Sequence, residues 1–433
     1  MNKWIMFVIF ASIITTFADK APPQAFVGAR IIPVVGEPIE KGTIVIQDGK
    51  ISAIGVTDSI ELPKNTVVHD ATGQVIMPGF VDTHSHIGGG GAGDSSKPLH
   101  PETSVFDSFN VLDSAIQKAQ AGGVTTANVM PGSGHLMSGQ TIYIKMRDGR
   151  IIDDLVIKSP EGKFMGGMKM ANGTNSIRQA PFPGTRGKSA ALVRGLYIQA
   201  QEYRQKIIDA KGDESKLPPR DLGMEALVEV LEGKRIVHHH THRHDDIMTV
   251  LRLQKEFGFR VVLHHVSEAW KIAKEIAAAK APCSIIIIDS PGGKLEARDL
   301  DWKNGVALEK AGAVVGFHTD DPITDSRLFL RSAAFAVRAG MSEQAALYGL
   351  TMAGAIMLDL QKRVGSLEVG KDADLVILSG APLSVYTKID ETWIDGKKVF
   401  DRSNAKDYLW AVGGYGAGDN RPVEYCCYGK GKQ

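Results

Sequence analysis

From about residue 80, over about 280 residues, the chain repeats one rhythm, a short apolar or β-branched run followed by a longer amphipathic stretch. The runs are FVDTHSH, VTTANVM, FMGGMKM, RIVHHHTH, RVVLHHV, CSIIIID and AVVGFHTD. The amphipathic stretches lie near residues 105–121, 187–210, 245–257, 268–279 and 302–311. One strand and one helix cannot bury their apolar faces alone, so repeated units stack as parallel βα modules. The expected fold class is α/β, and about 280 residues of such units fit a (β/α)8 TIM barrel. A doubly wound open sheet is the alternative. No G-x-G-x-x-G falls in a strand-to-helix turn, which argues against a dinucleotide site.

Both ends of the chain have a different texture. AFVGARIIPV, GTIVIQDGKISAIG and TVVHDATGQVIMPG precede the alternation, and DADLVILSG and ETWIDGKKVF follow it. Each DGK sits between alternating runs, the pattern of a tight hairpin. The expected organisation is residues 19–77 and 360–433 forming one small β-sandwich domain, with the barrel over 78–359. Stretch 212–220 reads as an insertion loop, and GGGGAG at 88–93 as a flexible segment beside THSH.

The first eighteen residues carry Lys3, an apolar run from Trp4 to Ile14, and then Thr16-Phe17-Ala18 before Asp19. A basic start, an apolar centre and a small residue at the end form an export signal. The run is short for a membrane span. The expected location is therefore periplasmic or secreted, with no stable membrane span once residues 1–18 are removed. The three cysteines, Cys283, Cys426 and Cys427, are too few for a disulfide scaffold. A formal net charge of +1 without a basic run excludes nucleic acid as an expected partner. Homo-oligomerisation is left open.

Polar residues that can bind metal stand at the C-terminal ends of four predicted strands. His84 and His86 end the first, His240 and His242 another, His264 and His265 the next, and His318 and Asp320 the last. A spacing of two puts each H-x-H pair on one strand face. Each element alone is ordinary: H-x-H recurs by chance, a lone His on an apolar strand is usually core, and Thr-Asp often caps a helix. In a barrel, strand C-termini converge on one rim, which would bring all four together.

MPGFVDTHSH, AGGVTTANVMPGSG, HTHRHDDI, VVLHHVSEAWKIA, FHTDDP and VGSLEVGKDADLVIL, in this order, resemble the amidohydrolase superfamily, in its imidazolonepropionase-like and prolidase-like branch. The resemblance implies the barrel with a β-sandwich built from both ends. It implies His84, His86, His240, His265 and Asp320 as metal ligands, for one or two divalent ions, with zinc the first expectation. It also implies a water activated by metal that attacks a carbonyl, the metal or His265 polarising the carbonyl oxygen, and Asp320 moving the proton to the leaving nitrogen. His242 shares the face of His240 and is expected beside the ligands or the substrate. His238 lies lower on that face, His239 faces away, and His244 opens a helix.

One position departs from the family pattern. Gly173-Thr174-Asn175 stands where related chains carry a glutamate, so a bridging carboxylate is absent there. The reading leans to one ion, unless Lys169 or Lys145 is carboxylated. The substrate is expected to be a small molecule with an amide, peptide or cyclic amide bond. His135, Arg178, Arg186 and Arg243 are the residues considered for holding it, with an arginine fork for a carboxylate. A lactone or phosphoester hydrolase, or a non-catalytic binding barrel, are the competing readings.

Overall fold

The computed structural model describes residues 21–91, 93–286 and 295–413. Residues 1–18, expected to be an export signal, and Cys426 and Cys427 lie outside them; Cys283 is buried and unpaired by disulfide. Among the described residues no helix is long and apolar enough to cross a membrane.

The chain opens with β1 (Gln24–Ile31), β2 (Ile39–Gln47), β3 (Lys50–Val56), β4 (Val67–Asp70) and β5 (Val75–Pro78). Then come β6 (Phe80–Ser85), β7 (Val124–Val129), β8 (Met137–Gln140), β9 (Ile142–Lys145) and β10 (Met168–Ala171). β11 (Val237–Thr241), β12 (Val261–His265), β13 (Cys283–Ile285) and β14 (Val315–Phe317) follow, and β15 (Leu375–Leu378), β16 (Ile389–Ile394) and β17 (Lys397–Asp401) close the series.

Both chain ends join in one eight-stranded sheet, ordered β17-β16-β15-β5-β1-β2-β3 with β4 also on β1. Antiparallel pairing of β15 with β5 fastens the two ends together. Phe26, Ile44, Ile51, Ile76, Leu375 and Trp393 form its core. The two DGK turns are tight hairpins. Asp48 and Gly49 have φ of 51° and 76°, and Asp395 and Gly396 have 49° and 71°. Positive φ at both central positions is what the strand twist requires and what glycine permits.

The middle of the chain is α/β. β14-β13-β12-β11-β10 lie parallel in that order, with β8 antiparallel at the edge; β6 and β7 are parallel, with β9 antiparallel on β7. Asp320 N–H donates to His84 O at 2.9 Å, so the chain after β14 meets β6. Tyr143 N–H donates to Met165 O at 3.0 Å, tying β9 to the chain that enters β10. β6, β7, β10, β11 and β12 are buried at every position, as strands covered on both faces must be.

Helices fill the gaps the alternation predicts. Thr185 caps Arg186–Asp209 and the next predicted helix runs His244–Phe257, ended by Gly258 at φ 76°. Three features differ. The stretch 105–121 is α-helical only over Ala115–Ala121, where Asp113 takes the Ala115 N–H at 2.8 Å, with a single 3-10 turn at Val105–Asp107 before it. Helix Leu222–Leu231, capped by Asp221, follows the insertion loop and was not expected. β8 and β9 were also not expected; they are short strands whose partners lie elsewhere in the chain.

Candidate metal centre

β6 ends with the first H-x-H. His84 and His86 bring their Nε2 atoms to 3.3 Å of each other. Asp320 joins them from beyond β14, with Oδ1 at 3.2 Å from His84 Nε2 and 3.0 Å from His86 Nε2. The Nδ1–H of His86 donates to Met130 O at 2.8 Å, which leaves Nε2 as the lone-pair nitrogen facing Asp320. Asp82, two positions before His84, accepts the Thr319 hydroxyl at 2.5 Å and its N–H at 3.1 Å, and so steadies the backbone leading into Asp320. Burial pushes the Asp82 carboxyl up to about 7.

A second group lies beside the first. His240, His242 and His265 bring one ring nitrogen each to within 4.8 Å of one another, and the His240 and His265 ring centres are 4.2 Å apart. Asn175 Nδ2 sits 3.0 Å from His240 Nε2, and His242 Nδ1 is 2.8 Å from Ser267 Oγ. His265 Nε2 is buried without a hydrogen-bond partner and lies 3.9 Å from Asp320 Oδ2. Asp320 thus presents one oxygen to each group. His265 and Asp320 have φ of 68° and 53°. Non-glycine residues rarely adopt this region, and the surrounding structure must hold them there.

Beneath these groups the interior is polar. Lys169 on β10 is fully buried and brings Nζ to 2.9 Å from His84 Nε2. His318 Nδ1 is 2.8 Å from Ser284 Oγ, and His84, His265 and His318 form a third possible ligand set. His238 Nδ1 lies 3.0 Å from His264 Nε2 and its Nε2 lies 3.0 Å from Tyr143 Oη. Burial, reinforced by the Lys169 ammonium and neighbouring imidazoles, holds His84, His264 and His265 well below the usual histidine range and His318 at about 3. Burial works against the Asp320 charge, but His86 and His318 outweigh it and keep the carboxyl below its ordinary value. Neutral imidazoles beside an ionised carboxylate are the protonation states a divalent ion needs. A buried, unpartnered His265 nitrogen aimed at Asp320 fits the same ion. The donor set of imidazole nitrogen and carboxylate oxygen suits zinc and its neighbours in the first transition row.

The five expected ligands and His242 therefore meet in one place. The other two expected site residues sit outside the ligand groups. His135 lies in the loop between β7 and β8, and Arg186 opens helix Arg186–Asp209 bound to Asp246 at 3.0 Å and Glu296 at 3.4 Å. The two lysines separate cleanly. Lys145 is enclosed by Asp372 at 2.7 Å, Asp374 at 3.1 Å and Asp395. Asp82, Thr319, Asn175 and Tyr143 were not read as site residues. For Asp82 a signal existed, since it has the same strand parity as His84 and His86.

The model of the amidohydrolase family matches residues 298–399, which contain Asp320. The solved structure of an amidohydrolase from Thermotoga maritima MSB8 superposes with a TM-score of 0.81 at 35% identity, covering 88% of this chain and 100% of that one. Amidohydrolase tasK of Hapsidospora irregularis is 27% identical over 394 residues, 84% of this chain and 39% of that protein, so the chain spans well under half of it. Imidazolonepropionase of Rhizobium rhizogenes is 23% identical over 390 residues, 82% of this chain and 91% of that protein. Identity of 35% along the whole of a solved amidohydrolase is more than a shared architecture produces, and the chain belongs to the amidohydrolase family.

Proposed function

We propose that this member of the family is a metal-dependent hydrolase of a carbon–nitrogen bond in a small molecule, an amide, a peptide or a cyclic amide. The observation that carries this is Asp320, whose two oxygens face His84 and His86 on one side and His265 on the other. A divalent ion held by such residues lowers the pKa of its water from about 15.7 to about 7 and so supplies hydroxide near neutrality. His84, His86 and Asp320 would hold one ion, and His240 and His265 a second. The absent carboxylate at Thr174 argued for one ion; two adjacent ligand groups favour two. Lys169, lying against His84, is the lysine placed to supply a bridging carboxylate, whereas Lys145 is already neutralised by three aspartates. Zinc is the expected metal.

In the reaction, the water's oxygen ends on the carbonyl carbon and the C–N bond breaks. Asp320, ionised before attack, accepts the water's proton and passes it to the leaving nitrogen. His265 would help hold the ion that polarises the carbonyl oxygen, and His242 lines the same space, anchored by Ser267.

The architecture supports a finer reading too. We take β6, β7 and β9–β14 with their helices as one eight-stranded barrel of (β/α)8 type over residues 78–359, β9 running antiparallel on β7, and the strands within 21–77 and 360–413 as a β-sandwich. The Asp320–His84 and Tyr143–Met165 backbone hydrogen bonds favour a closed ring over an open sheet. Residues 1–18 are read as an export signal, so mass spectrometry of protein from its native host should find Asp19 at the N-terminus; an intact Met1 overturns export.

The function is tested on a mixed panel of N-acyl amino acids, dipeptides, cyclic amides, aminated heterocycles and lactones. Turnover should be confined to C–N substrates, vanish with a chelator and return with zinc. Elemental analysis should give two equivalents of metal, with a mass gain of one carbon dioxide on Lys169. Turnover of lactones alone, or turnover indifferent to the chelator, overturns the reading.

A further inference from the structure

The turn that follows β10 is held at three points. Asn172 N–H donates to His240 O at 3.2 Å, its Nδ2 donates to Asp246 O at 3.0 Å, and Thr174 N–H donates to Glu296 Oε2 at 2.7 Å. Glu296 comes from the turn Leu295–Ala297, in the chain between β13 and β14, 122 positions after Thr174. It is only 4% exposed. Arg186 answers it at 3.4 Å and Asp246 at 3.0 Å, so one guanidinium serves two buried carboxylates. A buried carboxylate is costly unless hydrogen bonds satisfy it, and the Thr174 N–H supplies part of that need.

Gly173 registers how closely the acid is drawn in. Its φ is 69°, and a side chain there would stand 2.5 Å from Glu296 Oε2 and 3.3 Å from Asp246 Oδ2. Glycine accepts both that backbone angle and that approach. Two positions on, Asn175 reaches a metal ligand, with its Nδ2 3.0 Å from His240 Nε2.

This contact decides which nitrogen of His240 can take an ion. An imidazole whose one nitrogen is engaged by an outer partner offers the other to the metal. An asparagine amide presents nitrogen or oxygen at one place by a half-turn about its last bond. With Nδ2 toward the ring, Nε2 accepts and the ring proton sits on Nδ1. With Oδ1 toward it, Nε2 carries the proton and Nδ1 has the lone pair an ion needs. The amide can therefore serve the metal-free ring and the metal-bound ring without any movement of the backbone.

We infer that Asn175 is a positioning residue for His240, and that Glu296 acts through it by holding the turn Gly173–Ser176 against the ligand group. The line runs from Glu296 to the Thr174 N–H, through the next residue to the Asn175 amide, and onto His240 Nε2, which reserves Nδ1 for the ion shared with His265. This rests on the metal reading proposed above and adds residues that act from behind a ligand.

The test reads zinc affinity rather than turnover, on the full chain stripped by a chelator and titrated against a chromophoric zinc indicator. The parent should bind in two steps, and the step missing from His240→Ala marks the His240 group. Asn175→Leu should weaken that step by about 10- to 100-fold, the usual effect of losing an outer partner of a metal-bound histidine, and leave the other step within a few-fold. Asn175→Asp still accepts from Nε2–H and should restore it. Glu296→Leu should weaken the same step, and Glu296→Gln, which keeps an acceptor for the Thr174 N–H, should weaken it less. In the double variant of Asn175→Leu with Glu296→Leu the losses should not add, whereas a merely structural Glu296 would add in full. Glu296→Gln carries the same cycle should Glu296→Leu fail to fold. Unchanged affinity in Asn175→Leu, equal weakening of both steps, or failure of Asn175→Asp to restore binding overturns the inference. Additive losses overturn the part given to Glu296. A parent that takes up fewer than two ions overturns the two-ion reading and this inference with it. Two ions bound in the expected pattern, without turnover of any substrate, support the inference and overturn the hydrolytic reading.

Discussion

Asp320 and His84 are both ligands by position, yet their chemistry differs, and two substitutions separate them. Asp320→Asn keeps size and an oxygen able to coordinate weakly, but cannot accept a proton. Loss of a general base costs about 10²- to 10⁴-fold in rate. Asp320→Asn should therefore lose most of kcat and keep most of its metal. His84→Ala removes a buried ligand that also faces Lys169 and Asp320, and should lose metal and activity together. Metal content measured beside kcat decides it; an Asp320→Asn protein within a few-fold of wild type with metal bound means the proton moves elsewhere. The four strand ends that meet at this site were legible from spacing, because period two on a strand is a local property, while the choice of ligands among them followed from the family resemblance. The roles of the lysines and arginines were not, because each depends on a partner from a distant part of the chain. Lys169 and Lys145 look alike in MGGMKM and IYIKMR, and only the fold shows that one meets His84 and the other three aspartates.

At the scale of elements, Lys145 at the end of β9 joins the α/β part to the eight-stranded sheet through Asp372, Asp374 and Asp395. Burial works against its charge, but the three aspartates outweigh it and hold its pKa above the ordinary lysine value. Asp372 also takes Lys50 and Arg363, and although burial opposes ionisation, Lys145 first and then these two cations hold it at about 2. A carboxyl depressed from 3.8 to about 2 adds stability that is present above pH 4 and lost as pH falls toward 2. Asp372→Asn should thus be clearly less stable than the parent at pH 7, and the gap should shrink by pH 2.5. Urea unfolding of the metal-free proteins at both values checks this without interference from metal release; a gap that stays constant refutes it. Lys145→Met leaves three carboxylates facing one another and should cost about 3–5 kcal/mol, with metal content unchanged. The hairpins on either side were readable because DGK states its own backbone angles. That a side chain on Gly49 would stand 3.1 Å from Asp395 O, so that the two turns abut from opposite ends of the chain, was not.

For the whole molecule, the ligands come from β6, β11, β12 and the segment after β14, so a bound ion holds most of the α/β part together. Ions that bind the folded state alone stabilise it by mass action, about 2.7 kcal/mol at a hundredfold excess over Kd. Metal-free protein should melt at a lower temperature, recover with zinc, and show a Tm that rises with zinc concentration; His84→Ala should show little such rise. A Tm indifferent to zinc in the parent would mean the ligand groups do not hold it. The sequence by itself determined what is local: strand–helix alternation, the hairpin turns, the faces on which paired histidines lie, and the order of motifs that marks the family. Tertiary structure alone decided which charges meet. It assigned Asp320 one oxygen to each histidine group, tied Arg186 to Asp246 and Glu296, and stacked Arg178 on Phe182. The reason is physical: backbone angles and side-chain parity are set by near neighbours, whereas a buried charge is defined by whatever the fold carries to within a few ångströms of it.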